Sequence, residues 1–217
     1  LHLILWDADK LEIAGAYRLG DARSLCDSAP GLYTTTLFEY SSAMRPYFER
    51  GLELGRGFVQ PKYWGKRSLD YLWYGIGAFL QRYPEYRYLF GPVSISGSLP
   101  LAARTVLVDF YRLYFPPLEH LASAHNPFVA SQSDNALSPS LLFCGTDYHA
   151  DFRVLKRLLA DIGATVPTLY KQYSELCEPG GVQFLAFGVD PVFNNCIDGL
   201  ILVDASRLRE HRRQRYL

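Results

Sequence analysis

The chain has 217 residues, of which 49% are hydrophobic and 20% charged, and its 22 basic side chains balance its 22 acidic ones to a net charge of zero. That is enough chain to bury a core in one or two domains, it is too apolar for a disordered protein, and the absence of net charge excludes a generic nucleic-acid binder. No apolar run nears the roughly 18 residues of a membrane-spanning helix. Four cysteines without a CxxC pair (Cys26, Cys144, Cys177, Cys196) exclude a zinc ribbon or a dense disulfide framework and read as reduced thiols of a cytosolic protein.

The only methionine is Met44 and residues 1–6 already read as a strand, so the native start is expected upstream. After the polar turn at Asp7-Ala8-Asp9-Lys10, residues 13–19 suit the second strand of a hairpin. Residues 20–30 read as a loop, and 32–40, rich in Thr, Tyr and Phe, as a segment able to pair. Residues 52–59 form a strand with Gly55 and Gly57 inside it, the mark of a bulge or a close backbone approach.

Leu69, Leu72, Trp73, Ile76, Phe79 and Leu80 recur at helical spacing and predict a helix over 68–82 that ends before Pro84. A strand at 88–96 and a helix at 101–115, stopped by Pro116-Pro117, follow. Residues 122–140, heavy in Ser, Asn and Pro, read as a loop or linker between a core at 1–121 and a remainder at 141–217. In that remainder, helices are predicted at 151–162 and 168–177, and strands at 182–189 and 197–204.

The block most able to carry chemistry is the strand 52–59 and the basic loop after it, which leads into a helix. Such a junction offers free backbone N–H groups and a positive helix end to an anion. Phe58, Val59, Lys62, Gly65, Lys66 and Arg67 are the candidate donor-binding residues there, suited to the phosphates of coenzyme A or of a phosphopantetheine arm. By residue type alone, a solvated turn is the commoner outcome. Ser94 and Ser96 share one face of the next strand and border the same arm, or face solvent. Glu53 and Arg56 lie three apart, on opposite faces of a regular strand, unless a bulge at Gly55 or Gly57 brings both to one cleft. Arg18 ends the second strand and either meets them or is exposed. Five scattered histidines form no metal-ligand pattern, and Asp147-Tyr148-His149 reads as a turn or helix cap.

In chain order, Asp7-Ala8-Asp9, Gly15-Ala16-Tyr17-Arg18-Leu19, residues 52–59, Leu89-Phe90-Gly91-Pro92-Val93-Ser94-Ile95, Pro167-Thr168-Leu169-Tyr170-Lys171 and Leu176-Cys177-Glu178-Pro179-Gly180-Gly181 resemble the GNAT-type N-acyltransferases that make ornithine lipid, a family often labelled haemolysin-like. The first half is similar, more distantly, to acyl-homoserine lactone synthases, whose active-site Arg and Glu-x-x-Arg map onto Arg18, Glu53 and Arg56. The resemblance implies an α/β (α+β) GNAT-like fold with a mixed, twisted sheet, and a thioester held in a V-shaped splay between the strands 52–59 and 88–96. It implies transfer of a 3-hydroxyacyl group from acyl carrier protein to the α-amine of an amino acid such as ornithine. No tightly bound cofactor is implied; the donor is an acyl-phosphopantetheine thioester of acyl carrier protein or coenzyme A.

An amine of pKa near 8 needs a base, Glu53 by this mapping, and Glu53→Gln is then expected to keep the fold and lower transfer by orders of magnitude. Arg18 or Arg56 either clamps the acceptor's carboxylate or holds Glu53. The loop 61–67 departs from the Arg/Gln-x-x-Gly-x-Gly/Ala pattern of acetyl-coenzyme A users, which weakens acetyl-coenzyme A as donor and leaves a carrier-protein donor open. The tail 207–215, with five arginines and one glutamate, either rests on anionic lipid at the inner membrane face or is a solvated helix. A signal synthase and a literal membrane-lysing haemolysin are the competing functions.

Overall fold

The alternation of apolar and polar residues at the start of the chain folds as a hairpin of β1 (His2–Asp7) and β2 (Glu12–Asp21). Its turn is closed by Asp7, whose carboxylate accepts from the N–H groups of Asp9 and Lys10. In the computed structural model, which describes residues 1–129 and 142–217, β2 continues past Leu19 into a short helix, α1 (Ala22–Leu25), where composition predicts a loop. Of the segment 32–40, only β3 (Phe38–Tyr40) pairs, after a single 3-10 turn at Tyr33–Thr36. Its partner is β6 (Ala122–Ala124), the start of the predicted linker, so that segment begins as a strand; residues 130–140 of it lie outside those described.

After α2 (Arg45–Phe48) comes β4 (Gly51–Val59), then α3 (Ser68–Arg82), β5 (Tyr88–Ile95) and α4 (Leu101–Tyr114). The C-terminal part supplies α5 (Tyr148–Asp161), α6 (Thr168–Ser174), β7 (Val182–Asp190), β8 (Cys196–Asp204) and α7 (Glu210–Tyr216). Asp147 caps α5 by accepting from the Ala150 N–H at 2.9 Å. Six strands form one sheet in the order β1-β2-β4-β5-β8-β7, and β7 and β8 thus lie in the same sheet as the N-terminal strands. Every pairing is antiparallel except β4 with β5, which the α3 crossover makes parallel.

Both sheet faces are covered. On one, Leu72, Trp73 and Ile76 of α3 pack with Leu107 and Tyr111 of α4, Leu155 of α5 and Tyr170 of α6. On the other, Phe38, Met44, Phe48 and Leu121 cover Phe90, Leu200 and Leu202.

The basic tail is part of the fold. Arg215, the Tyr216 hydroxyl and Arg67 all donate to Asp70 at the start of α3, Arg212 pairs with Glu175 at 3.3 Å, and Arg207 and Arg209 donate to the carbonyls of Pro179 and Cys177. The tail arginines thus bond within the fold, while Arg207, Arg213 and Arg215 remain exposed. Burial works to raise the Asp70 carboxyl, but the bonds from Arg215, Tyr216 and Arg67 outweigh it and hold the group below its ordinary value. A depressed folded value means stability present above the unfolded value of about 3.9 and lost as pH falls through the folded one. In an acid titration followed by tryptophan fluorescence, the wild-type chain is expected to lose this contribution below about pH 4, and Asp70→Asn to lose it at every pH.

Candidate functional site

β4 carries the bulge that its glycines predict. Ala16 of β2 faces Phe58 and Arg18 faces Gly55, so Arg56 and Gly57 together oppose the single residue Tyr17. Arg56 takes the left-handed conformation, with φ at 52°, and an added Cβ on Gly57 would sit 2.6 Å from the Tyr17 ring, so a side chain there is excluded. The bulge turns Arg56 onto the turn at Tyr33–Thr36, where its guanidinium lies 4.8 Å from the centre of the Tyr33 ring.

Glu53 meets the next residue of that turn. Its Oε1 accepts from the Thr34 N–H and hydroxyl, both at 2.8 Å, and its Oε2 lies 3.3 Å from the Arg18 guanidinium. Arg18 sits opposite Gly55 across the β2–β4 ladder, so Glu53 is its diagonal neighbour on the same face. Arg18, Glu53 and Arg56 are thus brought together around one turn. Glu53, however, is only 1% exposed and lies beneath the turn, outside the cavity wall that Arg56 joins.

β4 and β5 pair only from Gly51 opposite Tyr88 to Glu53 opposite Phe90, and past that point they part. A cavity of about 850 Å³ occupies the gap. Pro92, Ser94, Asp198 and Tyr33 line it from one sheet face, and Tyr17, Leu54, Val93, Leu169 and Tyr173 from the other. Only a parted sheet lets residues of both faces line one cavity. A second cavity of about 580 Å³ lies against the start of α3, lined by Phe58, Val59, Gly65 and Lys66 with Ser68 and Leu69, and it shares Tyr17, Gly57 and Leu169 with the first.

The other predicted donor residues fall elsewhere. Lys62 is tied to Glu12 at 2.5 Å and Arg67 to Asp70 at 3.1 Å, and neither lines a cavity. Ser96 bonds Ser98 at the strand's end, whereas Ser94 lines the larger cavity and donates to Asp198 at 2.5 Å. The hydrogen bonds from Lys62 and Tyr63 hold Glu12 below its ordinary value, and the Tyr63 bond does the same for Asp7, so these carboxylates neutralise the loop's base. Lys66 is the loop's one cation that lines a cavity and forms no ion pair among the described residues.

Tyr33, Asp198 and Asp190 were not among the sequence candidates. Asp198 is 4% exposed; burial, with the charge of Asp190, pushes its carboxyl up against the opposing bonds from Ser94 and Cys196. Burial and the Asp198 charge push the Cys196 thiol up to about 12, so it stays a protonated donor 3.8 Å from both Asp198 oxygens. A lone Asp in the apolar run 197–203 was the available signal, since unpaired carboxylates are seldom buried.

Comparison with known proteins agrees with this geometry. Residues 1–74 match the acetyltransferase (GNAT) domain family. The whole chain aligns at 29% identity with a glycine N(alpha)-acyltransferase of Bacteroides thetaiotaomicron, over 66% of that protein, and at 26% with one of Phocaeicola vulgatus, over 68%. Nearly half of the chain, 46%, aligns at 32% identity with an L-ornithine N(alpha)-acyltransferase of Brucella abortus, over 37% of its length. The chain thus spans about two thirds of the glycine acyltransferases that it matches. No solved structure matches it. With the mixed six-stranded sheet, the match over residues 1–74 gives the chain an α/β fold of GNAT type.

Proposed function

We propose that this GNAT acyltransferase domain moves a fatty acyl group, 3-hydroxylated in the expected case, from the phosphopantetheine thioester of acyl carrier protein to the α-amine of an amino acid such as glycine or ornithine, a step of aminolipid assembly. The observation that carries the proposal is the cavity that crosses the sheet where β4 and β5 part. A thioester arm entering along the second cavity, past the free N–H groups of the α3 N-terminus and Lys66, reaches the gap from one face. An amino acid reaches it from the other, beside Tyr33 and Arg56. Main-chain N–H groups left without a strand partner at the parting are suited to the oxyanion that forms on the thioester carbonyl.

Of the two arginines suited to clamp the acceptor's carboxylate, Arg18 is committed to Glu53, while Arg56 stands at the cavity wall on Tyr33. Arg56 is therefore the residue proposed to bind that carboxylate. The names of the relatives support an amino-acid acceptor. Among the described residues, no helix is long and apolar enough to cross a membrane.

The protein incubated with 3-hydroxyacyl carrier protein and a panel of amino acids is expected to yield one N-acyl amino acid by mass spectrometry. Silence across the panel from folded protein, with a known acyltransferase active alongside, would overturn the reading.

A further inference from the structure

We infer that Asp198 is the general base of this site, the group that takes a proton from the attacking amine. The inference rests on the acyl-transfer reading above and adds a residue to it. Three observations carry it. Asp198 lines the cavity where the strands part, on the face that also bears Ser94, its cross-strand neighbour in the β5–β8 register. Its partners do not use it up: Oδ1 accepts from the Ser94 hydroxyl, and among the described residues Oδ2 has only the Cys196 thiol, 3.8 Å away. A carboxylate 96% buried with an oxygen left free of N–H and O–H donors is costly in a fold that gains nothing from it.

The neighbouring carboxylates are held in other ways. One oxygen of Asp190 already closes the β7–β8 turn by accepting from the N–H groups of Val192 and Phe193. Glu53 lies outside the cavity wall, its Oε1 taken by Thr34 and its Oε2 within ion-pair distance of Arg18. Arg56 lies within electrostatic reach of Tyr33, as do Asp190 and Asp198, so this part of the cavity presents a cation together with carboxylates. That is the charge pattern of a zwitterionic amino acid, its carboxylate toward Arg56 and its ammonium toward Asp198.

The protons balance as follows. The ammonium gives one proton to Asp198, and the freed amine forms the N–C bond with the thioester carbonyl. The C–S bond breaks, the second proton of the nitrogen ends on the leaving thiolate as a thiol, and the third stays on the amide. Asp198 then releases its proton to water. Burial raises the Asp198 carboxyl toward the operating range of a base. The titratable groups around it are Cys196 on its own strand, Asp190 of β7, Tyr33 and Arg56 over the cavity, His125 and Tyr170 of α6.

The test compares the wild-type chain with Asp198→Asn, using 3-hydroxyacyl carrier protein and the amino acid that the wild-type chain accepts, with a urea melt of each. Asn keeps the shape and an acceptor for Ser94. The expected result is a fall of roughly 100-fold or more in kcat/KM for the amino acid. The residual rate should climb about tenfold per pH unit up to the amine's own pKa, because only amine already neutral in solution then reacts. The urea midpoint at neutral pH should be unchanged or higher. The sign follows from linkage: a carboxyl raised in the fold lowers stability once pH exceeds its unfolded value, and Asn removes that loss. Asp198→Asn within about threefold of wild type overturns the inference, as does an activity loss that tracks a lowered urea midpoint. Failure of the wild-type chain to form any product overturns the acyl-transfer reading itself, a distinct outcome.

Discussion

Gly91→Ala is expected to destabilise the protein by about 3 kcal/mol and to lower acyl transfer beyond what the stability loss explains. Gly91 follows the last β5 residue paired with β4, and an added Cβ would lie 2.1 Å from the Leu54 carbonyl oxygen. The obstacle is backbone, held from its other side by the ladder between β4 and β2, in which Leu54 faces Leu19. Relief requires β4 to shift against β5 at the apex of the gap, where the cavity begins. Gly55→Ala is the control, because an added Cβ there meets nothing within 4 Å. Urea melts should show a lowered midpoint for Gly91→Ala with the slope kept, and little change for Gly55→Ala. Equal midpoints for the two would mean that the close approach at the apex is not what holds the strands.

What the sequence disclosed and what it withheld divide by range along the chain. The helical spacing of Leu72, Trp73, Ile76 and Leu80 placed all four in the core, and the glycines of β4 announced the bulge that re-aims Arg56. Both signals are local. The carboxylate pocket is not: Ser94 and Asp198 are 104 residues apart, and only the β5–β8 register joins them. The same holds for β3 and β6, three residues each, whose pairing overrides a Ser- and Asn-rich composition that reads as a linker. The tail arginines were visible as charge, but their partners Asp70, Glu175 and the carbonyls of Pro179 and Cys177 lie elsewhere in the sequence. Charge alone could not say whether they face a membrane or the rest of the chain.

The second large effect is expected from Glu53→Gln, and it separates two accounts of this site. As a base, Glu53 would be replaceable by Gln at no cost to the fold, and transfer alone would fall by roughly 100-fold to 10,000-fold. The geometry predicts otherwise. Oε1 accepts two hydrogen bonds from Thr34, Oε2 faces Arg18, and the Tyr40 hydroxyl donates to the Thr34 hydroxyl behind them. An amide has one acceptor oxygen. Set toward Thr34, its NH2 confronts the Arg18 guanidinium; flipped, it confronts the Thr34 N–H, and in either setting donor meets donor in a site 1% exposed. With Arg18 also deprived of its counter-charge, the expected cost is about 3 kcal/mol. The turn that carries Tyr33 loosens with it, so Arg56 loses its support and KM for the amino acid rises. Urea melts and steady-state kinetics on the same preparation decide between the accounts. A lowered midpoint with a raised KM makes Glu53 a positioning residue and leaves the proton to Asp198, whereas an unchanged midpoint with kcat alone reduced returns the base to Glu53 and removes it from Asp198.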